Sequence, residues 1–454
     1  MVQVKPFKAV RYNPQTLNHL PAQNDITPVV APPYDVIEAD YQQRLYDRHP
    51  NNVIRLILNQ KQTNDSETET VYTRAAEAFT AWQEGQVLMQ EPRDAFYVYT
   101  QTFTAPGSGE QNTRKGLLGL VKLAEFTEKQ VFPHEATLKG PIADRFSLMQ
   151  HTGANLSPVF MLYNDAAFTI EKTGIYDVPA NDERWIVATE DAEPGKKPVH
   201  HAFYALTDDA KIEAIQTALA PQSLIIADGH HRYETALAFR RWVREQLAAQ
   251  GQTVPEVGQL TSDWALVFLG NVADEAGLKV YPTHRLLTQW PEGMNQQTFD
   301  AKLNDDFRDI SPENAQIIVK YADGSERALV LKPDHDLKGL PTAMSDLDTA
   351  VLEYAVFQKL LAKTGEALKH EGLLRFERDA EAVTEQLSTG KAVAGFMMAI
   401  PPLKIMFDVV QGGERMPQKS TYFYPKLLSG LVFNAFGPDV APVLVQSKSV
   451  ALNV

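Results

Sequence analysis

The spacing of apolar residues divides the chain into strands and helices before any chemistry is considered. Leu224-Ile225-Ile226-Ala227 is a short apolar run that predicts a buried strand, stopped by Asp228-Gly229. Beyond it, Tyr233, Ala236, Phe239, Val243 and Leu247 recur at helical spacing and predict a helix with one buried face. Residues 70–88 carry the same signature in Tyr72, Ala75, Ala76, Phe79 and Trp82. Phe96–Phe103 predicts a strand that turns through Pro106-Gly107-Ser108-Gly109 into a second strand at Leu117–Leu123. Residues 315–332 form a hairpin pattern around Ala322-Asp323-Gly324-Ser325. Val53-Ile54-Arg55-Leu56-Ile57-Leu58 is expected to be a buried strand carrying one arginine, and residues 346–363 and 425–436 are expected to be helices. Elements in this order give an α/β (mixed α+β) protein.

The length of 454 residues exceeds one small core and implies two or three domains or subdomains. The loops near 190–200 and 250–258 are candidate joints. The division expected is 1–290 for a catalytic region with insertions and 291–454 for a C-terminal α+β subdomain that completes the site. Composition is that of a globular protein, 44% hydrophobic and 22% charged. No apolar run is long enough for a membrane span, and the N-terminal residues lack a signal-peptide pattern, so the expected location is cytoplasmic, with no membrane partner. There are no cysteines, which excludes disulfides, thiolate nucleophiles and Cys-ligated metals. The net charge of −14 and the absence of a long Lys/Arg run argue against nucleic acid as a partner.

The most informative segment is Asp228-Gly229-His230-His231-Arg232, at the junction of a strand and a helix. A helix start presents unpaired N–H groups and the positive end of the helix dipole, which together attract anions. Gly229 lets the backbone turn sharply and approach a ligand, and Arg232 can bind a phosphate through two hydrogen bonds. Asp228 could hold Mg²⁺, orient a histidine or accept a hydroxyl proton. The competing reading is an Asp cap with structural histidines. Three cation-capable side chains at the positive end of a helix are mildly unfavourable, and a bound anion removes that penalty. A zinc site at the two histidines lacks adjacent further ligands.

The strand, the Asp228–Arg232 turn and the helix after it resemble the phosphate-binding motif of the ParB/sulfiredoxin superfamily, in particular its free-serine kinases. The chain as a whole resembles the bacterial family known as domain of unknown function 1015. The resemblance runs through Ala31–Ile37, Asn52–Leu56, Pro133–Thr137, Asp144-Arg145, Ala227–Leu237, Tyr281–Arg285 and Arg415–Lys426. It implies a ParB/sulfiredoxin-like core with additional subdomains. It also implies a kinase that forms O-phospho-L-serine from free serine, with ATP, ADP or pyrophosphate as donor and Mg²⁺ as cofactor. Sulfiredoxin has its reactive Cys where this chain has His230, so sulfinic-acid repair is excluded. No basic recognition helix of the DNA-partitioning type is found.

Other candidates lie outside the turn. Asp35 follows Pro32-Pro33-Tyr34 on a rigid loop, where a carboxylate can be held as a general base or can cap the turn. The resemblance favours Asp35 over Glu38 as the carboxylate near the serine hydroxyl. Catalytic roles therefore fall to Asp35, Asp228 and His231, and phosphate binding to Gly229, His230, His231 and Arg232. Mg²⁺ is assigned to Asp228. Substrate or donor contacts are expected from Arg55, His134, Glu135, Arg145, His284, Arg285, Arg415, Lys419 and Lys426, each of which also fits a structural ion pair or a solvated loop. The function expected is a small-molecule phosphotransferase of neither the P-loop nor the protein-kinase type, since neither motif set is present. A non-catalytic phosphate-binding regulator and a phosphohydrolase are the alternatives. Donor, acceptor and oligomeric state are left open by the sequence.

Overall fold

A computed structural model describes residues 1–105, 109–135, 139–190, 197–333, 335, 339–400 and 403–446. The chain forms two units: Met1–Phe132 with Thr137–Lys279 and Pro425–Val454, and Pro133–Ala136 with Val280–Tyr424. The chain thus leaves the first unit after Lys279 and returns to it at Pro425.

The first unit is built on a mixed sheet. Its strands are β1 (Val4–Lys5), β2 (Phe96–Thr104), β3 (Gln111–Lys122), β4 (Val131–Pro133), β5 (Val159–Tyr163), β6 (Ile186–Glu190), β7 (Val199–Leu206), β8 (Leu224–Asp228) and β9 (Trp264–Asn271). The order is β4-β8-β5-β9-β3-β2-β7-β6, with β1 on β3. β5 and β9 run parallel. β8 on β5, β9 on β3 and β3 on β2 are antiparallel. All eight residues of β9 are buried, which explains why its sequence is a nearly continuous apolar run rather than an alternating one.

Two helices of the first unit, α2 (Lys139–Thr152) and α3 (His230–Ala249), share a core with this sheet, and α1 (Val71–Glu84) packs on α2. α1 starts where expected because Thr70 and Thr73 form a reciprocal capping box. α2 packs against both α1 and α3, and the rings of Phe146 and Phe239 meet edge-on at 6.0 Å. The face predicted for α3 is the buried one: Tyr233, Ala236, Phe239, Val243 and Leu247 are all 4% exposed or less.

Two expected elements differ. Residues 53–58 are not a strand: Ile54–Ile57 is a short helical turn, set by the Asn52 side chain, which accepts from Ile54 N–H and donates to the Pro28 and Val30 carbonyls. A short apolar run buried on all sides has the same sequence whether it is strand or helical turn. Residues 425–436 are not a helix either. The segment is extended, bridging Ala31 through Ser429 and Val10 through Phe433 and ending in the strand Asn434–Ala435. Gly430 (φ +96°), pressed on Val53, breaks any helix there. Its leucines looked helical because Leu427, Leu428, Leu431 and Val432 are all buried.

The second unit has an antiparallel sheet of β10 (His284–Leu287), β11 (Phe307–Asp309), β12 (Ile317–Tyr321), β13 (Glu326–Leu331), β14 (Leu374–Glu377) and β15 (Ala394–Met397). Its order is β11-β13-β12-β15-β10-β14. The predicted hairpin is β12–β13. The helix expected at 346–363 begins as α-helix at Asp348–Val351 and widens into a π-helix at Leu352–Leu360. Its own core includes Phe299, Leu303, Val319, Phe357 and Phe396. No helix of the described residues is long and apolar enough to cross a membrane.

Candidate functional site

β8 carries Leu224, Ile225, Ile226 and Ala227 into the core and then shifts register against β5 between Ile226 and Asp228. The extra residue is Ala227, and Asp228 pairs with Phe160 as the last residue of the strand. Gly229 follows at φ +88°, and α3 begins at His230. His230 is buried, while His231 and Arg232 are half-buried. A Cβ on Gly229 would lie 2.8 Å from the Arg232 guanidinium carbon, so glycine serves both the left-handed conformation and the space the arginine occupies.

The arginine folds back under the turn. Arg232 Nη2 lies 2.5 Å from Asp228 Oδ2, and Nη1 donates to the Pro158 carbonyl. The other carboxylate oxygen of Asp228 pairs with Lys426 Nζ. Asp228 is therefore clamped between two cations, a group of net charge +1 at the positive end of a 20-residue helix. Such a centre favours an anion at the turn.

Contacts within the first unit bring the Asp35 loop to the same place. Ala31 bridges Ser429, whose hydroxyl lies 2.7 Å from that of Ser157. Ser157, Tyr34, Arg145 and Arg232 line one cavity of about 50 Å³. That space takes a few waters or one small functional group, not a nucleotide. Asp35 is exposed on the 3₁₀ turn Tyr34–Val36. Burial raises the Tyr34 phenol, with Arg145 and Arg232 opposing and Asp35 and Asp144 reinforcing the shift. Arg145 stacks 4.0 Å from the Tyr34 ring centre, pairs with Asp144 at 2.5 Å and donates to the Ile57 carbonyl at 2.6 Å. Arg55 sits apart from the cavity lining. It donates to the His49 and Tyr46 carbonyls at 3.0 and 3.1 Å and stacks on Tyr46.

The remaining candidates belong to the second unit. His134 is fully buried, its Nε2 2.7 Å from Thr421 Oγ1. Glu135 accepts from the N–H groups of Lys419 and Thr421 at 3.2 and 3.3 Å. His284 Nδ1 accepts from Met398 N–H at 3.1 Å; burial lowers its pKa, and Arg285 lowers it further. Arg285 is 3% exposed, and burial brings its pKa down to about 10. Arg415 and Lys419 are exposed.

A buried polar array escaped the sequence reading. Gln101 and Arg114 face each other across β2 and β3, and Arg114 Nε donates to Gln101 Oε1 at 2.9 Å. Gln101 Nε2 donates to the Lys426 carbonyl at 2.8 Å, and Arg114 donates to the Pro425 carbonyl. The pair thus anchors the backbone that presents Lys426 to Asp228. Nearby, the Tyr99 hydroxyl lies 2.7 Å from His201 Nδ1. The available signal was polar residues inside otherwise apolar strands, which marks a partner but does not name it.

The Mg²⁺ assigned to Asp228 does not fit this donor set. Both Asp228 oxygens face cations, and among the described residues no group of three or more His, Asp or Glu side chains could hold a metal.

Among solved structures, a free serine kinase in complex with AMP is 12% identical, over 65% of this chain and 83% of that one, at TM-score 0.33. A conserved hypothetical protein from Pyrococcus furiosus is 13% identical, over 67% and 91%, at 0.33. SbnI with a C-terminal truncation, from Staphylococcus aureus, is 15% identical, over 69% and 86%, at 0.35. No curated protein matches. The model of the family described as protein of unknown function DUF1015 matches residues 4–350, well over half of the chain, and the protein belongs to that family.

Proposed function

We propose that the protein is a small-molecule phosphotransferase, a kinase acting on the hydroxyl of free L-serine with ATP, ADP or pyrophosphate as donor. The observation that carries the reading is the clamped carboxylate at the 228–232 turn, where two cations and the first N–H groups of a long helix converge. Phosphoryl transfer needs chiefly positioning and charge neutralisation, and this arrangement supplies both. The serine hydroxyl oxygen bonds to the terminal phosphorus, and the bridging P–O bond breaks with its electrons going to the departing donor. The hydroxyl proton passes to Asp35. Lys426, His231 and the N–H groups of the turn meet the phosphoryl oxygens, while Asp228 holds Lys426 and Arg232 in position.

The test mixes purified protein with L-serine, Mg²⁺ and each donor in turn and follows O-phosphoserine. Product from at least one donor is expected. None from any donor overturns the serine reading. Tight nucleotide binding without turnover would move the assignment to a regulatory phosphate-binding protein, and free phosphate released without an acceptor would move it to a phosphohydrolase.

A further inference from the structure

The second unit holds a cavity of about 250 Å³, and every residue that lines it belongs to that unit. Its inner wall is Arg285. This guanidinium is 3% exposed and donates only to backbone carbonyls, those of Thr283, Gln418 and Lys419. The acids nearest to it electrostatically are Asp348, Glu135 and Glu353, and each is committed to other donors. Asp348 accepts from the N–H groups of Thr349 and Ala399, at 2.6 and 2.5 Å. Glu135 accepts from those of Lys419 and Thr421. Glu353 accepts from Gly365 N–H at 3.1 Å and the Gln358 amide at 3.0 Å. Arg285 forms no ion pair with any described carboxylate. Asp348, Glu135 and Glu353 favour its charge from a distance, but no carboxylate touches the guanidinium, and a buried cation without a contacting anion is costly.

Three further observations agree. Lys369 and Arg415 line the same cavity, and Lys419 adds its positive charge at Lys369. Arg285 and Lys369 both approach the Phe376 ring, at 5.5 and 5.6 Å from its centre. One wall is the π-helix Leu352–Leu360, a distortion that recurs at functional sites. Phe357, Leu374 and Met416 are the apolar part of the lining, and two acids, Glu353 and Glu366, also line it, so its three cations outnumber its acids by one.

We propose that this cavity binds a small organic anion, a carboxylate or a phosphate monoester on a short carbon skeleton, at a site of its own within the second unit. The anionic head meets Arg285 in two parallel hydrogen bonds, with Lys369 and Arg415 closing over it from the rim. The proposal uses none of the residues of the 228–232 turn, so it stands or falls independently of the kinase reading.

The experiment titrates the full chain with succinate and, separately, inorganic phosphate, by calorimetry and by hydrogen exchange read by mass spectrometry. At least one probe is expected to bind saturably and to slow exchange in residues 349–366 and 415–418. The double variant Lys369→Ala/Arg415→Ala, both exposed positions, is expected to weaken that binding about tenfold or more while keeping the fold. Protection by succinate alone names a carboxylate site, and protection by phosphate alone a phosphate site. The proposal is overturned if neither probe protects these segments, if phosphate protects only residues 224–236, or if the double variant binds with unchanged affinity.

Discussion

Asp228 and Arg285 present opposite solutions to burying a charge. Asp228 has a counter-ion on each oxygen, one four residues on in the first turn of α3 and one from the distant extended segment after Pro425. Arg285 has only backbone carbonyls, because the acids around it are occupied by N–H groups. The first arrangement is electrostatically closed within the chain, with a surplus of one positive charge presented to whatever binds at the turn. The second has acids only at a distance, and no carboxylate touches its guanidinium. A self-sufficient network resists the loss of a member, whereas an incomplete one gives up little stability when its charge is removed.

That contrast can be broken by substitution. Arg232→Ala leaves Asp228 and the Pro158 carbonyl without their partner and should cost about 3 kcal/mol. Arg285→Met removes a buried charge together with its hydrogen bonds and should cost about 1 kcal/mol. Urea unfolding of the two variants side by side measures the difference, and equal losses would erase the distinction. Lys426→Met should lower kcat/KM for phosphoryl transfer about a hundredfold, the scale set by losing one preorganised charge-stabilising donor, with the fold retained. Gly229→Ala forces a side chain into the left-handed region and against Arg232, and a loss of about 2 kcal/mol is expected in the same unfolding assay.

Smaller effects sharpen the comparison through pH. His201 in the first unit and His284 in the second both have pKa values lowered by burial. Each binds a proton more readily when unfolded than when folded. Their stabilisation is therefore complete above the ordinary histidine value of 6.5 and is lost as pH falls below it. Thermal unfolding followed from neutral to mildly acid pH should show that decline. His284→Asn, whose side-chain oxygen can still accept from Met398 N–H, should flatten it; an unchanged slope would remove His284 from the account. The smallest change is expected from Arg55→Lys. It loses two carbonyl hydrogen bonds and a ring contact, about 1 kcal/mol, and leaves phosphoryl transfer unaffected.

What could be read from the sequence was local. The β8–turn–α3 unit was legible because an apolar run, an Asp-Gly break and a helical apolar face follow one another within 26 residues, Leu224 to Ala249. The hairpin at 317–331 was legible for the same reason. Residues 53–58 and 425–436 were not, since a segment buried on every side has no period to betray its conformation. Within the candidate site, the clustering of cations and histidines marked the turn. The clamp itself was invisible, because Lys426 stood in the sequence only as one basic residue near others. Gln101 and Arg114, which fix the backbone of Lys426, are two strand residues whose pairing depends on register.

Asp228 and Lys426 are 198 positions apart, and the second unit lies between them in the chain. A ribosome adding roughly 5–20 residues per second needs on the order of ten to forty seconds to cross that distance. During synthesis, then, Asp228 first meets Arg232 alone, and its second cation arrives only after the whole of the second unit has emerged. The clamp is a late event in the birth of the protein, and a nascent chain stalled before residue 426 would carry the turn without its lysine.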